Sequence, residues 1–258
     1  MAPHRNAELG AFLRSRRTVG LCRDDVARSA GVSPDYYTRI ERGEVDYFAD
    51  AVLDSIARAL ELDETEHLHM LRLARPRTAE QRMADDEEPV RDSLRLLVES
   101  NTVQSVILVG RHADLLAVNR IGRALLGLSP GERVNLARLM FLEPATKELL
   151  VDWKSEALTA VARLRAAAGF DPGDRELGAL IRDLCVKSDD FARIWATHPV
   201  TDRPASVLEY RHPVAGRLTL HSETLTLPGD PGRLLVIGTA PANSRSAERL
   251  RLLGTPPA

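Results

Sequence analysis

The segment RDDVARSAGVSPDYYTRIERG, residues 23–43, restricts the fold more than any other part of the chain. Apolar residues recur at helical spacing on both sides of a three-residue break, Gly31-Val32-Ser33. Glycine suits a left-handed turn because it has no Cβ, serine can cap the following helix, and Pro34 fits its first turn. The pattern therefore predicts two short helices joined by a tight turn.

The second of these helices has a polar face that no apolar pattern covers. Tyr37 and Ile40 point to the core, and four polar residues at positions i, i+3, i+4 and i+7 share the opposite face: Asp35, Thr38, Arg39 and Arg42. In a helix-turn-helix the second helix enters the major groove, so we expect this face to read DNA. A plain helical hairpin with a solvated polar face is the alternative.

Five short helical patterns fill the first 75 residues. They cover residues 8–17, 22–30 and 34–42, a stretch from Ala49, and about 63–73. This count and the residues VARSAGVS…YTRIERG resemble the lambda-repressor-like, XRE-type DNA-binding domain, over about residues 8–74. The expected N-terminal unit is thus a five-helix domain, residues 1–75.

The resemblance to the XRE-type domain implies roles for single residues. Arg23 stands where the family usually has a phosphate-contacting Gln, and Arg39 is the best candidate for a bidentate contact to guanine. Arg16 and Glu41 are expected to form a partly buried structural pair and not to touch DNA. The full candidate set for DNA contact is Arg23, Ser33, Pro34, Asp35, Tyr36, Thr38, Arg39 and Arg42.

Three of these candidates also have structural interpretations. Arg23 could be a solvated first-turn residue, and Asp35 could serve only the helix dipole. Tyr36 could pack instead of donating to a phosphate.

The sequence pattern changes after a charged linker, residues 76–89, from short helical segments to strand-like ones. Five segments look like strands: SVILVG, DLLAVN, VLEYR, RLTLHSETL and LLVIGT. A long helical stretch from about Leu136 to His198, broken at 169–174, separates the second strand from the third. Two strands, helices and three strands predict an α+β fold with an antiparallel sheet over residues 90–258.

Composition and motifs exclude several classes of protein. No apolar run approaches the ~20 residues of a membrane span, so we expect a cytoplasmic protein with no membrane partner. The net charge of −2 gives no global attraction to nucleic acid, so DNA binding has to come from a local patch. Cys22 and Cys185 are isolated, which gives neither a disulfide framework nor a zinc site.

Catalytic and metal-binding signatures are also missing from the sequence. It contains no Gly-rich phosphate loop, nucleophile elbow or paired-carboxylate motif, and His198, His212 and His221 lack HxxxH or HExxH spacing. We therefore expect no enzyme activity and no metal site.

Most of the chain resembles the MmyB-like regulators. The quoted helix-turn-helix is followed by VNRIGRALLG, RVNLARLMFLEP, DWKSEALTAVARLRAAAG and RHPVAGRLTLHSETLTLP, which look like the family's PAS-like ligand-binding domain. The resemblance implies a transcription regulator that binds a double-stranded DNA operator and senses a small apolar, fatty-acid-like ligand, with no other cofactor. A homodimer on paired half-sites is expected. EVDYFAD, after the recognition helix, departs from the family pattern, and its Glu44 and Asp46 would not grip a phosphate.

The ligand site is predicted within the helical insertion. Phe141, Trp153, Phe191 and Trp195 could be pocket walls or ordinary core. Asn135 and Arg211 could hold a carboxylate head group. A haem-binding or a protein-binding sensor domain remains an alternative.

Overall fold

The computed structural model describes residues 6–17, 21–45, 47–75, 89–201, 203–228, 230 and 232–255. The five helices expected at the N-terminus are confirmed: α1 (Ala7–Arg16), α2 (Arg23–Ala30), α3 (Pro34–Glu41), α4 (Asp50–Ala59) and α5 (Glu64–Ala74). Phe12, Tyr37 and Ile56 are among the fully buried residues of their shared core. We call residues 6–75 the helix-turn-helix domain.

The second half of the described chain combines a sheet with helices. Its elements are, in chain order, α6 (Asp92–Ser100), β1 (Ser105–Val109), β2 (Leu115–Val118), α7 (Arg120–Leu125), α8 (Leu136–Leu142), α9 (Pro144–Leu149), α10 (Trp153–Phe170), α11 (Arg175–Lys187), α12 (Asp189–Ala196), β3 (Ala205–His212), β4 (Gly216–Thr226), β5 (Leu234–Thr239) and α13 (Arg245–Gly254). All five predicted strands and the predicted helical stretch are present. We call residues 89–255 the sensor domain.

The five strands form one antiparallel sheet in the order β2-β1-β5-β4-β3. This confirms the predicted α+β class. Because side chains alternate between the two faces of a strand, β1 and β5 each serve two environments. Val106, Leu108 and Leu235 pack against α6, whereas Ile107 and Val236, which are register partners, face the other way.

The helical insertion, α8 to α12, has a core of its own. Val161 and Leu164 of α10 pack there with Leu177 and Leu184 of α11 and with Phe191 of α12. The 18-residue α10 is its longest helix. One side of α10 therefore belongs to this core, and the other side is left for the sheet and the first domain.

Two helices were not predicted from the sequence. In α6, Leu94 and Val98 are buried at helical spacing, and in α13 Leu250 is buried under the sheet and α7. The predicted linker, residues 76–89, lies outside the described residues except for Pro89. Within the part of the chain that is described, no helix has both the length and the apolar character to cross a bilayer.

Candidate DNA-binding face and ligand cavity

The turn between α2 and α3 has the geometry that its sequence predicts. Gly31 adopts φ +69°, in the left-handed region where a side chain would be strained. The Ser33 side chain accepts a hydrogen bond from the Tyr36 backbone N–H at 3.2 Å, and Pro34 begins the helix. These local interactions fix the position at which α3 leaves the turn.

The outer face of α3 is available to a partner. Asp35, Arg39 and Arg42 are exposed and Thr38 is half-buried. Their side chains form no hydrogen bond or ion pair with another residue that the structure describes. Tyr36, by contrast, is half-buried and packs against the core of the helix-turn-helix domain, which favours its structural interpretation.

A buried carboxylate lies behind this face. The Glu41 side chain is fully buried, and its two oxygens accept from Arg17 Nε at 3.1 Å and from Arg23 Nε at 2.7 Å. The predicted pairing of Arg16 with Glu41 is therefore wrong. Consecutive residues of a helix point about 100° apart, so the side chain next along the chain from Arg16 takes this place.

Arg16 instead faces the sensor domain. Its Nε lies 2.8 Å from a Glu66 carboxylate oxygen, and its Nη2 donates to the His198 carbonyl at 2.9 Å. Its role is therefore in the contact between the two domains.

Arg23 combines a structural contact with exposure. The hydrogen bond to Glu41 raises the pKa of the guanidinium, and 44 % of the side chain remains accessible. An arginine has five donors, so this contact leaves others for a DNA phosphate. The buried Glu41 carboxylate thus holds the Arg23 side chain in place at the start of α2.

A cavity of about 800 Å³ lies between the sheet, α10 and α5. The sheet contributes apolar side chains, including Ile107, Leu234 and Val236. Nine residues of α10 line the cavity: Glu156, Thr159, Ala160, Ala162, Arg163, Leu164, Ala166, Ala167 and Phe170. Four of these residues are alanines, whose small side chains leave space beside the helix.

Four charged side chains line this mostly apolar space. Arg72 comes from α5, Arg111 follows β1, and Arg163 of α10 donates to Thr224 Oγ1 at 3.0 Å. Glu156 lies in the first turn of α10, and burial raises the pKa of its carboxyl. The cavity can therefore hold an apolar chain and bind a charged group.

Comparison with known proteins decides the family. A family model described as the MmyB-like transcription regulator ligand binding domain matches residues 90–253, and a helix-turn-helix domain model matches residues 8–81. The chain belongs to the MmyB-like transcription regulators. Its two matched parts are a helix-turn-helix domain and the ligand-binding domain of this family.

One curated relative resembles part of this MmyB-like regulator. The uncharacterized 15.4 kDa protein in the HgiDIIM 5′ region of Herpetosiphon aurantiacus is 41 % identical over 63 residues, which are 24 % of this chain and 44 % of the relative. The chain thus matches less than half of that relative's length.

The four aromatic residues predicted as walls of the ligand site do not line the large cavity of this MmyB-like regulator. Phe141 packs edge-to-face on Trp153 at 5.8 Å and on Phe191 at 5.0 Å, and Phe191 stacks on Trp195 at 5.7 Å between ring centroids. They pack in or against the core of the helical insertion. This packing favours the core interpretation of the four residues.

The two predicted head-group residues are also placed elsewhere. The Asn135 side chain caps α8 by accepting from the Ala137 and Arg138 backbone N–H groups, and its amide donates to the His112 carbonyl and to Asp114. Arg211 is exposed on the edge strand β3. Neither residue lines the large cavity.

The histidines considered for haem or metal lie outside the cavity lining. His212 is buried, with Nε2 3.0 Å from the Ala124 carbonyl and Nδ1 accepting from two backbone N–H groups. His221 is exposed on β4, and His198 lies in the loop after α12 with φ +49°. Among the described residues, no three His, Cys, Asp or Glu side chains cluster as metal ligands would.

Sequence reasoning missed the residues that do line the cavity. Its aromatic criterion pointed to the largest side chains, but the cavity is next to the smallest ones, such as Ala160 and Ala167 of α10. The spacing of small and polar residues on α10 was an available signal. The contribution of α5 had no local signal, because it depends on how the two domains pack together.

Proposed function

We propose that the sensor domain is a PAS-like domain that binds a long-chain fatty acid or a similar amphiphile, and that this ligand controls operator binding by the helix-turn-helix domain. The cavity between the sheet, α10 and α5 carries the proposal. Its volume of about 800 Å³ falls within the range of small-molecule sites, roughly 300–1,000 Å³.

The shape of the cavity favours an extended chain. Its lining follows α10 from Glu156 to Phe170, and 14 residues of helix span about 21 Å. Ile107, Leu234 and Val236 face this length from the sheet. An acyl chain placed along α10 would therefore remain in contact with apolar side chains throughout.

Arginines of the cavity lining replace the earlier head-group candidates. Arg72, Arg111 and Arg163 come from three separate elements and reach the same space. A guanidinium prefers a carboxylate because it can donate two parallel hydrogen bonds. We therefore assign the negative end of the ligand to these arginines.

For the DNA-binding half, we propose that Arg39 reads a base while Arg23 and the Ser33–Pro34 turn contact the backbone. Arg39 is exposed and its side chain forms no hydrogen bond or ion pair with another described residue, which supports this division, since a base-reading side chain has to be free in the unbound protein. A single domain has low specificity, so two copies on paired half-sites are the proposed active form.

Mass spectrometry of an organic extract of the purified protein tests the ligand directly. We expect a released fatty acid or related amphiphile. Added palmitate should raise the melting temperature of stripped protein, because a ligand that prefers the folded state stabilises it by about 2.7 kcal/mol at a hundredfold excess over Kd. Methyl palmitate, which has no carboxylate, should stabilise it less.

A matched pair of variants shows whether the effect comes from this cavity. Val236→Phe fills space on the cavity face of β5, whereas Val207→Phe makes the same change on the exposed edge strand β3. Only the first should lose the response to palmitate. An empty extract with no shift for any acyl chain would refute the proposal, and a haem absorption band would favour the alternative.

A further inference from the structure

The two domains share an extensive contact. Arg165 of α10 is 2 % exposed, forms an ion pair with Glu8 of α1 at 3.1 Å, and has its guanidinium 3.8 Å from the centre of the Trp195 ring. A Cβ added at Gly169 would lie 1.9 Å from a Leu73 methyl carbon, so α10 and α5 are in close contact at this glycine. The helix-turn-helix domain is therefore docked on the helical insertion through α1 and α5.

The cavity extends into this contact. Four α5 residues line it from the side of the helix-turn-helix domain: Thr65, Leu68, His69 and Arg72. The structure thus places part of the DNA-binding domain in the wall of the sensor's cavity.

Exposed apolar side chains mark the cavity mouth from both domains. Leu68 of α5 is 47 % exposed and Leu225 of β4 is 45 % exposed, and both belong to the cavity lining. Large apolar side chains with this much water contact gain stability when another apolar group covers them. A chain lying in the mouth would cover one leucine from each domain.

A buried nitrogen supplies a second, independent observation. His69 is 5 % exposed and lines the cavity, yet its Nε2 has no hydrogen-bond partner among the described residues. Buried polar atoms are normally paired, and a missing partner at a cavity wall points to a ligand atom. A carboxyl oxygen of an amphiphile could provide this partner.

We propose that the ligand site is built jointly by the two domains, with Leu68 contacting the acyl chain and His69 hydrogen-bonding the polar end. The ligand then bridges α5 to the sheet and stabilises the docked arrangement. This rests on the proposed function, because it requires the cavity to bind an amphiphile. Ligand binding and the docking of the two domains are then coupled, because a ligand that touches both domains binds the docked state more tightly than the undocked state.

Calorimetric titration of full-length protein with palmitate tests the bridge. Leu68→Ser should weaken palmitate binding about fivefold, which corresponds to leaving half a leucine side chain uncovered. Leu96→Ser is the matched control, because Leu96 of α6 is 64 % exposed and lies outside the cavity lining. His69→Phe keeps an aromatic side chain but removes both ring nitrogens, and it should also weaken binding about fivefold.

Hydrogen exchange distinguishes a bridge from a general loss of fold. Palmitate should slow amide exchange in α5 as well as in α10 of the wild type, and Leu68→Ser should lose the protection in α5 first. Equal palmitate affinity in wild type and Leu68→Ser, with no protection of α5, would overturn the shared site and leave a ligand held by the sensor domain alone. A wild type that binds no palmitate would refute the proposed function itself.

Discussion

Arg17→Met should destabilise the helix-turn-helix domain far more than Arg16→Met. The two residues are adjacent and chemically identical, but only Arg17 reaches the buried Glu41 carboxylate. Replacing Arg17 leaves that carboxylate with one partner, Arg23, whose side chain is 44 % exposed. The comparison therefore isolates the contact to the buried charge from the loss of an arginine as such.

How deeply the remaining partner is buried determines how much stability each substitution costs. Breaking a buried ion pair costs about 3–5 kcal/mol when the remaining charge has no partner. Since Arg23 still pairs with Glu41, we expect about 2 kcal/mol for Arg17→Met. The Arg16 and Glu66 side chains are 19 % and 22 % exposed, so water can solvate the remaining carboxylate, and Arg16→Met should cost about 1 kcal/mol or less.

Native-state hydrogen exchange provides the assay, because it reports α1 to α3 separately from the sensor domain. A double-mutant cycle adds the mechanism: Arg17→Met combined with Glu41→Gln should recover part of the loss, since the buried charge is gone. The reasoning is refuted if Arg16→Met opens α1–α3 as much as Arg17→Met does, or if Glu41→Gln makes Arg17→Met worse.

Three further outcomes follow from single side chains. Arg39→Ala should cost about 1–3 kcal/mol on the preferred operator and flatten the preference at one base pair, whereas equal losses on specific and random DNA would exclude base reading. Burial, with Arg72 and Arg16 nearby, lowers the pKa of His69 to about 4, so the stability that neutral His69 contributes is complete above pH 6.5 and is lost as the pH falls toward 4. In chemical denaturation, His69→Phe should therefore reduce the pH dependence of the free energy of unfolding in this range by up to about 3 kcal/mol. An unchanged pH dependence would contradict this. Gly169→Ala should destabilise the protein by about 1–3 kcal/mol, because the added Cβ would displace the buried Leu73 side chain, while Gly178→Ala, whose added Cβ would meet only the end of a flexible arginine, should be neutral or stabilising in thermal unfolding.

The helix-turn-helix could be predicted from sequence because its signals are local. A left-handed glycine, a capping serine and a first-turn proline act within a few residues of Gly31. The five strands were equally accessible through alternation and turn residues. The Arg16 and Glu41 pairing failed because the choice between adjacent arginines depends on the rotation of α1 against its neighbours.

The ligand site was hard to predict for a different physical reason. An aromatic side chain such as Phe191 has the same apolar pattern in a core as in a pocket wall, and only packing shows that its side of α10 is filled. The cavity lies beside small α10 residues such as Ala160 and Ala167. No sequence period reports which face of a helix is left unfilled, or that His69 of the first domain closes the space.

The most direct test measures operator affinity in the presence and absence of palmitate, using DNA selected from a random pool by the full-length protein. The account predicts that palmitate changes the operator Kd by at least about fivefold, and that the same DNA changes the palmitate Kd by the same factor. Identical operator affinity for stripped and palmitate-loaded protein, with palmitate binding verified, would contradict the claim that this cavity controls DNA binding.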